Sequence, residues 1–258
     1  MDLNLRDRVA LVAGSSRGIG FATARAFLQE GACTVITGRD RASLAGARRA
    51  LESEFGEDRL MACEGDLCDL RVITGTLTSI QERWGRLDCL VANIGSGRGP
   101  RGWEVPEDDW ERLFHSNFAC SRRLVQEILH GMVRSGAGSV ILVASIVGLE
   151  STAAPLPYSA AKSAIINYSK NLARQVADSG VRVNSVAPGN ILFPGGSWER
   201  HLTERRDEVM REIDTQVPMR RFGHAEEVAD VIVFLSSERS SFITGSCVVV
   251  DGGQARSI

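Results

Sequence analysis

The sequence predicts an α/β fold: one doubly wound parallel sheet of about seven strands with helices on both faces. Three observations predict it. Short runs rich in Val, Ile and Leu alternate with longer stretches of helical periodicity. Several of these runs are continuously apolar, as strands buried on both faces are, and parallel sheets are buried on both faces. A glycine-rich stretch, Gly95 to Gly102, directly follows one apolar run, which places it at a sheet's carboxyl edge.

The elements follow in order. Residues 9–13 read as a strand, 18–30 as a helix, 34–37 as a strand and 41–55 as a helix. Strand 60–64, helix 70–84 and strand 87–93 come next, then one long helical stretch over 108–135. Strand 139–144, helix 155–178 and strand 181–186 lead into a loose segment over 188–218. Helix 225–236 and strand 246–250 close the chain. Repeated β-α-β order implies right-handed crossovers. No linker, internal repeat or low-complexity segment divides the chain, so residues 1–258 are expected to form one domain, with a substrate lid at about 190–217.

Composition narrows the function. The 258 residues are 43% hydrophobic and 24% charged, with a formal net charge of -2. That balance favours neither a nucleic-acid partner nor an anionic membrane. No apolar run approaches the ~18 residues a membrane helix needs, and the first residues lack a secretory h-region. The expected location is the cytoplasm. Cys33, Cys63, Cys68, Cys89, Cys120 and Cys247 form no CxxC pair, and no His stands at zinc-finger spacing. They read as small buried side chains and free thiols, suited to a reducing compartment, and no metal is expected.

Ala13-Gly14-Ser15-Ser16-Arg17-Gly18-Ile19-Gly20 joins the first strand to the first helix. Glycines there let the backbone turn tightly and approach a pyrophosphate, which meets the unpaired N–H groups and positive dipole end of the helix. Farther along, Tyr158 and Lys162 stand four apart on a helix and so share a face. Ser145 lies thirteen residues before Tyr158, at the end of a strand, and Asn117 lies upstream on the long helix. The G-x-x-x-G-x-G spacing and the Asn, Ser, Tyr and Lys positions resemble the short-chain dehydrogenase/reductase family, and the resemblance runs from Arg8 to Gly253. It implies a Rossmann fold and an oxidoreductase that uses a nicotinamide cofactor.

The resemblance assigns roles residue by residue. Gly14, Ser16, Arg17, Gly18, Ile19 and Gly20 would hold the cofactor's phosphates, with Ala13 replacing the family's usual Thr. NAD-preferring members carry an acid at the end of the second strand, where this chain has Gly38 followed by Arg39. Arg17 and Arg39 would converge on a 2′-phosphate, which implies NADP(H). The alternative is a solvated Arg39, with Asp40 taking the ribose. Asp66, with Leu67 beside it, falls where the family contacts adenine. Asn93 and Gly95 fall in its Asn-Asn-Ala-Gly segment, and Pro188, Gly189 and Ile191 beside the nicotinamide. Phe193 stands where the family has a carboxamide-binding Thr.

Carbonyl reduction needs a hydride and a proton. Tyr158 would be the acid, with a lysine ammonium favouring its phenolate. Lys162 would also hold the ribose hydroxyls. Ser145 would donate to the substrate oxygen, and Asn117 would hold a water leading to Lys162 or serve to kink its helix. Ile146, Arg98 and Trp198 join Ser145 and Tyr158 as substrate candidates, with Arg101 and His201 nearby in the same loops. The resemblance is greatest to 3-oxoacyl-(acyl-carrier-protein) reductases, through Pro218 to Gly223 and Glu226 to Ala229. Arg134 and Arg174 stand where those reductases meet an acidic carrier. Three readings follow: a ketone/secondary-alcohol oxidoreductase of small molecules, such an acyl-carrier reductase, or a catalytically inactive NADP-binding sensor or scaffold. The family's pairing of its long helices implies a homotetramer.

Overall fold

The apolar runs become strands because each can bury both faces. In the computed structural model, which describes residues 2–257, β1 (Val9–Val12), β2 (Cys33–Gly38), β3 (Leu60–Glu64) and β4 (Cys89–Ala92) form one half of a sheet. The other half is β5 (Gly138–Val143), β6 (Val181–Pro188) and a last strand, Cys247–Val250. All seven are parallel, and the order reverses between β1 and β4, where β1 has β2 on one side and β4 on the other. A crevice opens at such a switch point, beyond the carboxyl ends of the strands.

Alternate residues of each strand feed two cores. Ala10, Val12, Ile36 and Val91 pack against α1 (Gly18–Gln29) and α2 (Arg41–Phe55), with Phe27 and Leu51 wholly buried. Val9, Leu11, Val35 and Leu90 pack on the opposite face against α3 (Leu70–Trp84). Each fully buried Leu or Ile contributes about 1.5–3 kcal/mol of transfer free energy.

Two elements differ from the sequence expectation. The stretch over 108–135 is not one α-helix: α4 (Glu107–Phe114) passes through a π-helical turn, His115–Ala119, into α5 (Cys120–Ser135). The loose segment after β6 is largely helical. After α6 (Leu156–Val176) and β6, a short strand β7 (Ile191–Leu192) leads into α7 (Ser197–Gln216), which kinks at Arg205. Strand β8 (Gly223–His224) pairs with β7, and α8 (Ala225–Ser236) and β9 (Cys247–Val250) complete the chain. The charged residues hid this helix, because its apolar contacts are few: Val209, Ile213, Val217 and Phe222 form a small core with Trp198 and Leu202. No helix among the described residues is long and apolar enough to cross a membrane.

The cysteines require a correction. Cys68 and Cys120 are joined as a disulfide across 52 residues of sequence, while Cys33, Cys63, Cys89 and Cys247 are free. Spacing alone gives no hint of that pair, because the loop before α3 and the start of α5 meet only in the folded chain.

Candidate active site

Six strand ends supply the site. Beyond β1, the turn is braced by two hydroxyls in place of the one missing at Ala13. The Gly14 N–H donates to Thr37 Oγ1 (3.1 Å), the Thr37 N–H to Ser15 Oγ (2.8 Å), and Ser15 Oγ–H to the Val12 carbonyl (2.7 Å). Sequence reasoning missed Ser15 and Thr37; a buried serine between glycines was the available signal. Asn93 Nδ2 donates to the Gly14 carbonyl (3.1 Å), which ties the β4 loop to the same turn. Helix α1 then begins with no side-chain cap and no acid in its first turn, so its N–H groups and dipole face the crevice uncompensated. Gly18 adopts φ +57°, and a Cβ there would stand 2.6 Å from the ring of Phe193. Phe193 therefore closes the front of the turn, a role the sequence did not reveal.

At the end of β2, a Cβ on Gly38 would lie 3.3 Å from Ser16 Cβ, which leaves little room for an acid. Asp40 is committed to α2: its Oδ1 accepts the Ser43 N–H at 2.8 Å, and Ser43, through its side chain first and this main-chain bond second, with a smaller contribution from the Arg17 charge, holds its carboxyl below the ordinary value. Arg39 Nη1 lies 3.5 Å from Asp66 Oδ2. Arg17 lies against Gly195, at 3.2 Å from a Cβ built there. Each arginine thus has its own neighbour. Asp66 Oδ1 also accepts the Cys68 N–H (3.0 Å). Leu67 and Ile191 are buried in the two cores, so they offer a ligand main-chain groups alone.

The structure brings Ser145, Tyr158 and Lys162 together. The Ser145 side chain neighbours the Tyr158 hydroxyl. Ser145 Oγ also accepts the Val147 N–H (3.4 Å) and approaches the Pro188 carbonyl (3.5 Å), with Ile146 buried in the turn that follows. Burial raises the Tyr158 phenol above its ordinary value, opposed by the neighbouring Ser145 side chain. Lys162 is 5% exposed, and its Nζ donates to the Val143 carbonyl at 2.7 Å, at the end of β5. Burial pushes its ammonium down to about 8, and Nζ stands 5.8 Å from the centre of the Tyr158 ring.

Asn117 lies in the π-turn, wholly buried. Its amide bonds the Ser96 main chain and the Leu113 carbonyl, at 2.9–3.0 Å. Gly95 must be glycine for the same reason: at φ +140°, a Cβ would collide with Asn117 Oδ1.

Of the substrate candidates, Arg98 and Arg101 are exposed. Trp198 packs at 5.4–5.5 Å on Phe222 and His201, inside the small core of α7. His201 is lowered by burial and then by the charges of Arg205, Arg200 and Arg101, and its Nδ1 is buried without a partner. Gly189 lies against Asp251 and Gln254. Glu150, in the loop after Ser145, accepts the N–H groups of Arg256 and Ser257, which lays the chain's last turn beside that loop.

A chain that combines an uncapped α1 start with the Ser145, Tyr158 and Lys162 cluster has relatives. The family described as Enoyl-(Acyl carrier protein) reductase matches residues 13–255. The chain is 34% identical over 252 residues to the 3-oxoacyl-(acyl-carrier-protein) reductase FabG of Vibrio harveyi, covering 97% of this chain and 98% of the relative. Among solved structures, L-sorbose reductase from Gluconobacter frateurii, complexed with NADPH and L-sorbose, superposes with a TM-score of 0.93 at 32% identity, over 100% of both chains. Levodione reductase superposes with a TM-score of 0.92 at 26% identity, over 99% of this chain and 100% of the other.

Proposed function

The chain belongs to the short-chain dehydrogenase/reductase family, oxidoreductases acting on CH–OH and C=O groups, and we propose from that premise that it is an NADP(H)-dependent ketoreductase of small to medium molecules. The observation that carries the reading is the Ser145–Tyr158–Lys162 cluster at the carboxyl end of β5, on the same edge of the sheet as the uncapped start of α1.

The residues present fit the cofactor. The open N-terminus of α1 suits a pyrophosphate. Gly38 carries no acid and is crowded by Ser16, and Asp40 is engaged as the cap of α2, so neither is free to offer a carboxylate to ribose hydroxyls in place of a 2′-phosphate contact. Arg39, with its side chain 76% exposed, and Arg17 are the cations placed to meet that phosphate. When bound, the nicotinamide supplies the hydride.

The chain's own residues supply the rest. The Ser145 side chain neighbours the Tyr158 hydroxyl, so a carbonyl oxygen brought to the pair would receive both. Burial keeps Tyr158 protonated near neutral pH, the state an acid needs, and the nearby Lys162 ammonium lowers the cost of the phenolate it leaves. Lys162 has three N–H donors; one is fixed on Val143, and two remain for ribose hydroxyls. Asn117 fixes the loop whose Gly97 lies against the Tyr158 ring, and so positions the acid. Residues 190–217 act as the substrate lid, with Phe193 against Gly18 at its hinge side.

The test is NADPH oxidation with a ketone panel that includes a ketose, a cyclic diketone and a 3-oxoacyl thioester presented free and on a carrier protein. Turnover of any free ketone supports the reading, and no turnover with intact NADPH binding would favour a sensor or scaffold. A second reading, 3-oxoacyl-carrier reduction, is favoured by the Vibrio harveyi relative and by exposed Arg134 and Arg174 in the last turns of α5 and α6. A strong preference for the carrier-bound thioester would select it. The same proposal makes the enzyme a cytoplasmic homotetramer. Exposed Phe242, in the loop before the sheet's last strand, and Val249, on that strand, support the assembly, and in the cytoplasm the Cys68–Cys120 disulfide would be open to reduction.

A further inference from the structure

Two sulfurs and an imidazole meet on the flank of the π-turn. The Cys68 and Cys120 sulfurs and a ring nitrogen of His115 all lie within 4.8 Å of one another. Sequence spacing argues against this meeting. On an α-helix, residues five apart are rotated by ~140° and face different sides. The π-turn changes that: the Cys120 N–H bonds to the His115 carbonyl, so the two residues stand one above the other on one face. The third member arrives from another element. Cys68 is held by its N–H to Asp66 Oδ1 (3.0 Å), and its carbonyl accepts from Arg123 Nη1 of α5 (2.7 Å). His115 is exposed, Cys68 half-buried and Cys120 buried, so the cluster opens to solvent on the imidazole side and has a closed floor.

We propose that, once the Cys68–Cys120 disulfide is reduced, Cys68, His115 and Cys120 bind one thiophilic divalent cation of the zinc type. Two thiolates and one imidazole would serve as protein ligands, with the fourth position left to water. This is the donor set such cations select, and hard cations such as Mg²⁺ avoid it. The balance is simple. An external dithiol gives two electrons to the S–S bond and leaves as its own disulfide; its two protons go to the Cys68 and Cys120 sulfurs, and the cation displaces them to solvent. Disulfide and cation therefore exclude each other. Either one joins the loop that follows Asp66 to the turn that carries Asn117. The inference does not depend on the ketoreductase reading.

Cobalt(II) is the probe. The full-length protein, reduced and freed of reductant, is titrated with Co²⁺ alone, and thiolate-to-cobalt charge transfer and tetrahedral d–d bands are recorded. One equivalent should bind, zinc should displace it, and the unreduced protein should give no such bands. Cys68→Ser should abolish the charge-transfer signal of a two-thiolate site, and His115→Ala should weaken binding by about tenfold or more. Circular dichroism and NADPH binding check that each variant is folded. Absence of the bands in the reduced wild type overturns the proposal without recourse to a variant. So does a full signal in the Cys68→Ser/Cys120→Ser double variant, which would assign the cobalt to another thiol.

Discussion

Asn117 grips Ser96 from both ends of its amide: Oδ1 accepts the Ser96 N–H and Nδ2 donates to the Ser96 carbonyl, each at 3.0 Å. The next residue, Gly97, lies against the Tyr158 ring. A helix residue thus holds the loop that backs Tyr158, the proposed acid. Asn117→Ala removes both bonds and one to Leu113, and is expected to cost about 1–3 kcal/mol, since solvent reaches the Ser96 loop and recovers part of the loss. Turnover should fall by about tenfold, with smaller change in NADPH affinity. Asn117→Asp keeps the acceptor and should recover part of both. Urea melts and steady-state rates measure this; an Ala variant with wild-type stability and rate would refute the grip.

Tyr158→Phe keeps the ring that packs on Gly97 and removes only the acid. Hydride transfer should be lost by about 10²–10⁴-fold, while NADPH titration by fluorescence should give nearly the wild-type affinity. Stopped-flow reduction by the variant at near the wild-type rate would remove Tyr158 from the mechanism.

The fold was legible because apolar runs and glycine turns are local signals: Val9–Val12 and Leu90 announce strands wherever they later pair. Ser145, Tyr158 and Lys162 were legible because their spacing survives in the sequence. What escaped depends on contacts between distant segments. The π-turn at Asn117 is compensated by Ser96, 21 residues away, and a 108–135 periodicity does not record an inserted residue that a loop bond stabilises. The Cys68–Cys120–His115 cluster escaped for the same reason. Helix α7 escaped because its polar positions outnumber the few, chiefly Val209 and Ile213, that bury it.

Lys162 gives a stability signature in pH. Its ammonium is pushed down to about 8 by burial, whereas in the unfolded chain it titrates near ~10.4. Below pH 8 the fold carries the full cost of the buried charge. Between about 8 and about 10.4 the unfolded chain holds a proton that the fold has released, so this contribution rises with pH. Relative to Lys162→Met, the wild type should gain roughly 3 kcal/mol across that window. Replacing Lys162 also orphans the Val143 carbonyl, so the pH difference is the informative quantity, not the absolute stability. Urea melts of both proteins at pH 7.5 and 10.5 test it; parallel curves would mean that Lys162 is not a buried cation.

Strand β9 is the open edge of the sheet beside β6. Val249 on it is 39% exposed, and Phe242 in the preceding loop is fully exposed. An apolar edge of this kind needs cover. The wild type should scatter light as a tetramer at micromolar concentration, and Val249→Lys with Phe242→Glu should halve the mass while the fold persists. A monomeric wild type would remove the assembly from the proposal.

Cofactor choice turns on Arg39. Its guanidinium lies 3.5 Å from Asp66 in the ligand-free chain, with exposures of 76% and 45% for the two side chains. An exposed pair of this kind contributes only about 0–1 kcal/mol, so a 2′-phosphate carrying nearly two charges can draw Arg39 away at little cost. The charge-assisted contact it gains contributes ~1.5–3 kcal/mol before exposure is discounted, which at ~1.4 kcal/mol per decade is about ten- to a hundredfold. Arg39→Ala should therefore weaken NADPH by about that factor and leave NADH nearly unchanged. The wild-type preference should shrink at high salt, because the guanidinium is open to screening. Isothermal titration of both cofactors at low and high salt measures all three effects. Equal weakening of NADPH and NADH would mean that Arg39 shapes its loop through Asp66 and does not read the phosphate. An outright wild-type preference for NADH would return the ribose contact to Asp40, at the expense of its cap on α2.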